Sequence, residues 1–283
     1  MPDNILVDLR FNKIERIWLN DIEDLSVHCN ERRYVDIRIE KNPLICNCYL
    51  YDLLRYLKDD LSFNVYNFVD INLEYVKCKY PNETDCTEIK ELDFRTYVCP
   101  EEEYFNIKKC PNSCNCNIRL YDGTRILDCS DRLKSEFKIQ KTEINYAGKN
   151  PLIANFTYNF LTEIPSLEAL QTINVTDLLL SHNWITHVNV ERIPETVTIL
   201  HLDNNYIYTV DGNLINFLTL NPLKEFTLHG NLMECDCSLA PFLTFVKLQR
   251  HYYKDLNNVK CKESRLHVYK LSMEYICPLT LDY

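Results

Sequence analysis

Two four-cysteine patterns, written in the same order, constrain this chain more than anything else in it. The first runs Cys46-x-Cys48, then Cys78, then Cys99-Pro100; the second runs Cys235-x-Cys237, then Cys261, then Cys277-Pro278. In both copies an apolar helical phase starts two residues after the second cysteine. It runs through Leu50, Leu53, Leu54 and Leu57 in one and Leu239, Phe242, Leu243 and Val246 in the other, each at i, i+3, i+4 and i+7. Agreement in both cysteine order and apolar phase makes this an internal repeat. The stretch from Cys99 to Cys116 is then a seam, where one cysteine-closed module ends and a second opens with Cys110, Cys114 and Cys116.

Fourteen cysteines, an even number in three dense clusters, read as a disulfide framework formed in an oxidising compartment. Zinc is the rival reading. Zinc ligand pairs, however, are usually about two to four residues apart, whereas the dominant pair here is Cys-x-Cys followed by single cysteines many residues on. With 31 Lys and Arg against 41 Asp and Glu the net charge is −10. No basic stripe interleaved with aromatics accompanies it, so nucleic acid has no electrostatic footprint here. The amino end, Met1-Pro2-Asp3-Asn4, lacks the regions of a signal peptide, and no run approaches the ~18 apolar residues that cross a bilayer. A secreted-type chain without a signal is expected to be a piece of a longer protein that meets a membrane only through a segment outside this chain.

Between the cysteine clusters a looser pattern recurs, LxxLxLxxNxL. It is present from Asn4 to Ile14 and from Tyr34 to Leu44, and after the seam it returns in four blocks that place asparagines at 159, 183, 205 and 231. Their spacings of 24, 22 and 26 residues fall within the ~20 to 29 residue period of a leucine-rich repeat. Each such repeat lays down one short strand with alternate apolar side chains inward. The asparagine can bond loop backbone that stacking would otherwise leave unpaired. The ends of such a stack expose apolar edges, and a cysteine-rich flank is one way to cover them. The interval from Asn12 to Asn42 is too long for a regular repeat, and nothing caps Val7 and Leu9 on their upstream side, which suggests further repeats before them.

Cys46-x-Cys48 with Cys78 and Cys99 resembles the C-terminal flank of a leucine-rich-repeat domain. Cys110-x-x-x-Cys114-x-Cys116 with Cys129 resembles an N-terminal flank, and the cysteines from Cys235 to Cys277 form a second C-terminal flank. A C-flank, an N-flank, a few repeats and a closing C-flank is similar to the membrane-proximal end of the ectodomain of insect Toll receptors. Slit-type guidance proteins also set flanks in tandem, but their C-flanks usually carry a tryptophan after Cys-x-Cys; the run from Cys235 to Phe245 looks closer to Toll. The resemblance implies an α/β solenoid in two tandem modules. Residues 1–45 are repeats, 46–100 a first C-terminal cap, 101–109 a linker, 110–132 an N-terminal cap, 133–234 repeats and 235–283 a second C-terminal cap.

It further implies pairing of Cys46 with Cys78, Cys48 with Cys99, Cys110 with Cys116, Cys114 with Cys129, Cys235 with Cys261 and Cys237 with Cys277. Cys29 and Cys86 are then left over and are expected to pair with each other, because the first cap must lie on the repeat that carries Cys29. For function the resemblance implies extracellular recognition in a plasma-membrane receptor. The whole receptor would bind a Spätzle-like cystine-knot cytokine, dimerise, and signal in innate immunity or development. A leucine-rich-repeat adhesion or Slit-like guidance protein is the alternative, and a secreted enzyme inhibitor a more distant one.

No catalytic motif is present: there is no Gly-x-Ser-x-Gly and no His-Glu-x-x-His, and Gly123, Gly148, Gly212 and Gly230 are too scattered to cradle a phosphate. No enzyme activity, cofactor or metal is therefore expected. His182, His201 and His229 fall on three consecutive repeats but in different phases, which reads as solvated surface histidines rather than a shared metal or proton site. Asn82, Asn155 and Asn174 head glycosylation sequons in a number that chance would supply; Asn155 falls on an exposed strand face, where a glycan would obstruct the concave surface. Glu101, Glu102 and Glu103 read as a solvated turn in the linker.

Overall fold

A computed structural model describes residues 5–19, 21–28, 34–81, 83–102, 110–139, 150–167 and 174–278. The chain divides into two compact units, Met1–Cys99 with Arg119–Asp122, and Pro100–Ile118 with Gly123–Tyr283.

In the first unit, β1 (Ile5–Asp8), β2 (Val35–Arg38) and β4 (Val69–Asn72) form a parallel sheet in that order, with Val7, Ile37 and Ile71 in register. The long interval between Asn12 and Asn42 holds a helix, α1 (Ile22–His28), which explains its departure from the regular period. Glu23 on that helix accepts from the Ser62 backbone N–H at 2.8 Å and from Arg55 at 3.2 Å. A second small sheet pairs β3 (Leu44–Ile45) in parallel with β5 (Lys77–Lys79), and β5 antiparallel with β6 (Cys86–Glu88). Between these strands lie α2 (Tyr51–Leu57) and α3 (Phe63–Phe68). The apolar phase of α2 and of the short 3-10 turn leading into it puts Leu50, Leu53 and Leu54 wholly inside, while Leu57 is only half-buried. Each such leucine contributes about 1.5 to 3 kcal/mol of burial. Disulfides Cys46–Cys78 and Cys48–Cys99 tie this helical segment to its strands, the second reaching the short strand β7 (Val98–Pro100).

In the second unit the sheet runs β8 (Asn115–Arg119), β9 (Thr124–Asp128), β10 (Leu152–Asn155), β11 (Val175–Leu179), β12 (Ile199–His201), β13 (Glu225–Thr227), with β9 to β13 all parallel. Leu127, Ala154, Leu178, Leu200 and Phe226 stack in register along its inner side and are buried. Two disulfides, Cys110–Cys116 and Cys114–Cys129, fasten the segment around β8 and the end of β9. At the other end β14 (Leu232–Met233) pairs in parallel with β15 (Lys260–Cys261), and α5 (Ala240–Gln249) buries Phe242, Leu243 and Val246. Disulfides Cys235–Cys261 and Cys237–Cys277 fasten this segment, the latter just past α6 (Met273–Ile276). The longest repeat interval, from Asn205 to Asn231, accommodates a further helix, α4 (Gly212–Leu220), whose first turn is capped by the Asp211 carboxylate accepting from the Leu214 N–H at 2.9 Å.

The repeat asparagines bind the strands' turns together. Asn205 is buried; its Oδ1 accepts from the Ile185 N–H at 3.0 Å, and its amide donates to the carbonyls of Leu180 in the preceding repeat (3.0 Å) and Leu202 in its own (3.1 Å). Asn183 and Asn231 repeat the arrangement, and Asn42 does so in the first unit through Ile14, Leu9 and Ile39. Removing the Asn205 carboxamide orphans the Ile185 N–H, at roughly 1 to 3 kcal/mol if left dry, and takes one of two donors from each of the Leu180 and Leu202 carbonyls, which keep Asn183 and Asn231. Asn205→Ala should therefore lose about 3 kcal/mol in urea denaturation. The exposed Asn12, whose amide reaches only the Leu9 and Arg10 carbonyls of its own turn, should lose about 1 kcal/mol or less as Asn12→Ala.

Candidate recognition surface

Because strand side chains alternate, the sheet of the second unit turns a continuous set of rows outward. One row passes through Ile126, Ile153, Asp177, Ile199 and Glu225, and a second through Asp128, Asn155, Leu179, His201 and Thr227. None of these ten is buried. The surface mixes aliphatic side chains with the acids Asp128, Asp177 and Glu225. Among the described residues no group of three His, Cys, Asp or Glu is placed to hold a metal ion.

A polar network hardens the far end of this face. Asp203, buried, accepts from the Ser181 hydroxyl at 2.7 Å, from the Thr227 hydroxyl and from the Asn204 amide at 2.8 Å. Burial works to raise its carboxyl, but the hydroxyls of Thr227 and Ser181 together with His229 and Asn204 outweigh it and hold the group below the usual carboxylate range. His229 bridges Asp203, 4.0 Å from its Nε2, to Asp255, 2.7 Å from its Nδ1. Asp255 also accepts from the backbone N–H groups of Leu228 and His229, so the turn after β13 is held by a carboxylate from the terminal helical segment.

The three histidines lie at the surface as expected, His182 exposed and His201 and His229 half-buried, but each has a partner. His201 Nε2 lies 3.0 Å from Glu225, His229 sits between two carboxylates, and His182 stacks on Tyr158 with ring centroids 4.3 Å apart. They do not converge on one site. Glu101 also departs from its expected place in a solvated turn: it is buried and takes both Nε (2.7 Å) and Nη2 (2.8 Å) of Arg125. Such a pair is sharply oriented but offsets its own desolvation only in part; burial leaves the Glu101 carboxyl raised in spite of Arg125. Glu102 is exposed, and Glu103 lies outside the described residues. No local pattern foretells the Glu101 contact, because its partner is 24 residues away on β9.

The first unit presents a smaller and more charged face. Leu6, Asp36 and Asp70 share one row and Asp8, Arg38 and Asn72 the next, bordering a groove of about 750 Å³. Its ion pairs, such as Asp8–Arg10 at 2.6 Å, are exposed; the Arg10 guanidinium pulls the Asp8 carboxyl down to about 2. Cys86 is an exposed free thiol, so it is not in the disulfide expected of it, and Cys29 lies outside the described residues. Of the sequon asparagines, Asn155 is half-buried on the strand face. Its amide donates to Asp128 at 3.2 Å, and its Oδ1 accepts from the Thr157 N–H and hydroxyl. Asn174 is half-buried at the start of β11, and Asn82 lies outside the described residues.

The Asp203 network makes a pH-dependent contribution of known sign. A carboxyl held low in the fold stabilises fully above its unfolded value near ~3.9, and that stabilisation is lost as pH falls through the folded value. In Asp203→Asn the new amide would face the Asn204 amide, donor against donor. The variant should be about 1.5 to 3 kcal/mol less stable than the parent at pH 7, and the gap in urea midpoints should close as the titration is carried below pH ~3.9. A gap constant with pH would show that Asp203 does not act through its charge.

No family model matches the chain. In sequence it is 25% identical over 281 residues to Protein toll of Drosophila melanogaster, an alignment that covers 96% of this chain and 25% of that protein. It is 28% identical over 134 residues to Toll-like receptor 7 of the same species, covering 36% of this chain and 9% of the relative. In structure it superposes on a chain of the Drosophila Toll–Spätzle complex with a TM-score of 0.73 at 23% identity, covering 96% of this chain and 34% of that one. On the glycosylated form of that complex the TM-score is 0.69 at 22% identity, over 96% of this chain and 37% of that one. The chain thus spans about a quarter of the length of Protein toll. Along nearly all of its own length it is similar in sequence to insect Toll and has the leucine-rich-repeat fold of the solved Toll chain.

Proposed function

We propose that this chain is the membrane-proximal part of the extracellular region of an insect-type Toll receptor, and that it serves protein recognition and receptor pairing rather than catalysis. The observation that carries the reading is the similarity to Protein toll across 96% of the chain. The order of disulfide-closed segments and parallel strands supports a finer division: repeats in 1–45, a C-terminal cap in 46–100, a linker in 101–109, an N-terminal cap in 110–132, repeats in 133–234 and a second C-terminal cap in 235–283. Six disulfides fit an extracellular site, and no described helix is long and apolar enough to cross a membrane. The relative's solved complex is with Spätzle; by analogy the whole receptor binds a Spätzle-like cystine-knot cytokine and forms a homodimer. Asn82, Asn155 and Asn174 are candidate glycan carriers.

Surface plasmon resonance of the complete receptor ectodomain over an immobilised, processed cystine-knot cytokine of the same species tests the reading. Saturable binding is expected, and a folded ectodomain that ignores every such cytokine of its species would sink it.

The caps differ in what a broken disulfide would release. Cys261→Ala removes a bridge worth roughly 2 to 5 kcal/mol and frees Cys235, which is half-exposed. Cys78→Ala frees Cys46, which is buried at 4% exposure. A thiol must be accessible to attack another chain. On non-reducing gels Cys261→Ala should give disulfide-linked dimers and Cys78→Ala far fewer, and in a reporter assay the full receptor carrying Cys261→Ala should signal without ligand. A surface-expressed Cys261→Ala receptor that stays monomeric and silent would contradict pairing through this end.

A further inference from the structure

A groove of about 480 Å³ opens beside the turns of the second unit, away from the strand rows described above. Its walls are Trp184, Tyr206 and Tyr208, exposed by 49%, 63% and 43%. Trp184 and Tyr206 each follow a ladder asparagine, and their backbone N–H groups are tied to the Leu161 and Ile185 carbonyls at 2.8 and 2.9 Å, so the rings stand on fixed backbone. Phe160 leans on one side of Trp184 with centroids 4.7 Å apart, leaving its other side to solvent. At the floor, Gly230 has φ +73°, and a Cβ there would lie 2.2 Å from Asn204 Oδ1; only glycine keeps this part of the groove clear. Glu234 and Lys262 form the rim.

Large aromatic faces exposed on a rigid frame are unfavourable unless something covers them. The groove also offers Trp184 Nε1–H, two tyrosine hydroxyls, a carboxylate and an ammonium, none of which bonds another side chain among the described residues. From this arrangement we infer that the groove binds a neutral oligosaccharide. A pyranose ring has an apolar C–H face to lie on an aromatic ring and hydroxyls at its edge that both donate and accept, which matches the mixed rim. The opposite charges of Glu234 and Lys262 offset one another, so neither an anionic nor a cationic ligand gains a net field. A peptide that adds as a strand would need free backbone groups to pair with, but the N–H groups of Trp184 and Tyr206 are already taken. Trp184 and Tyr206 stand on neighbouring repeats, each one residue past its ladder asparagine, so the groove offers more than one ring to a linear chain of sugars. The inference does not depend on the cytokine reading, and its test involves no cytokine.

The chain has two tryptophans, Trp18 and Trp184. In the full 283-residue chain carrying Trp18→Phe, the emission of Trp184 reports on the groove alone. Laminarihexaose and chitohexaose represent free polysaccharide, and an oligomannose represents a glycoprotein glycan; each is titrated separately. At least one should quench or shift the emission saturably, and the responding arm identifies the source. Tyr206→Ala should weaken that response roughly tenfold, Tyr206→Phe much less, and Tyr121→Ala, an exposed tyrosine of the other unit, not at all. Saturation-transfer NMR on the same samples should place the strongest transfer on ring C–H protons. The idea is overturned if none of the three sugars gives a saturable response. It is equally overturned if the response survives Tyr206→Ala and Tyr208→Ala unchanged.

Discussion

A parallel stack of three- to five-residue strands leaves most of each repeat in turns, and turns buried between neighbours have nowhere to send their N–H and C=O groups. The side-chain amide of one asparagine per repeat solves this, because it carries both an acceptor and two donors at a length that spans adjacent turns. Asn42, Asn183, Asn205 and Asn231 each reach one repeat back and one turn within their own. No other side chain of that size offers the same set: aspartate lacks the donors, and leucine lacks both. The rest of the architecture, strand register included, hangs on this bond set.

The turn that delivers the asparagine has a second requirement, which shapes the surface. The residue just before it adopts a left-handed backbone: Phe11, Lys41, Tyr158, His182 and Asn204 at φ between 54° and 64°, and Gly230 at 73°. In a chain with only four glycines, most of these positions carry a Cβ at a cost of roughly 1 to 2 kcal/mol each. What the chain gains is a column of projecting side chains at the solenoid edge. The stacked pair of Tyr158 and His182 is one product of that column. The residues just after the asparagines, Phe160, Trp184 and Tyr206, supply the neighbouring aromatic column.

The periodic parts of this fold were legible in the sequence because they depend on local spacing. The strands, the asparagine ladder and the two apolar helix phases after Cys-x-Cys all repeat at short range, so a pattern exists to be seen. Elements inserted within a repeat were less visible: α1 between Asn12 and Asn42 showed itself only as an abnormal interval, and α4 only as the longest of three normal ones. Tertiary partners were not visible at all. Nothing around His229 points to Asp255, which arrives from beyond α5, and nothing around Glu101 points to Arg125. Surface residue types in a repeat protein take their roles from neighbours one period away, and a reading by residue type alone assigns them to solvent.

The two faces of the second unit differ in the chemistry that they would offer a partner. On the strand rows, side chains emerge from β9 to β12, each paired on both sides, and from the edge strand β13, with acids at Asp128, Asp177 and Glu225 and aliphatics at Ile126, Ile153, Leu179 and Ile199. The acids oppose a second copy of the same face, since like charges brought together in a desolvated contact are costly. A complementary partner must therefore bring positive charge or shield these groups, which favours a heterologous ligand over self-pairing on this surface. The turn edge, where Glu234 and Lys262 line the same groove as three exposed aromatic rings, carries no such bias. Contacts that need no charge complement, with a sugar or with another subunit, are consequently better accommodated at the edge than across the strands.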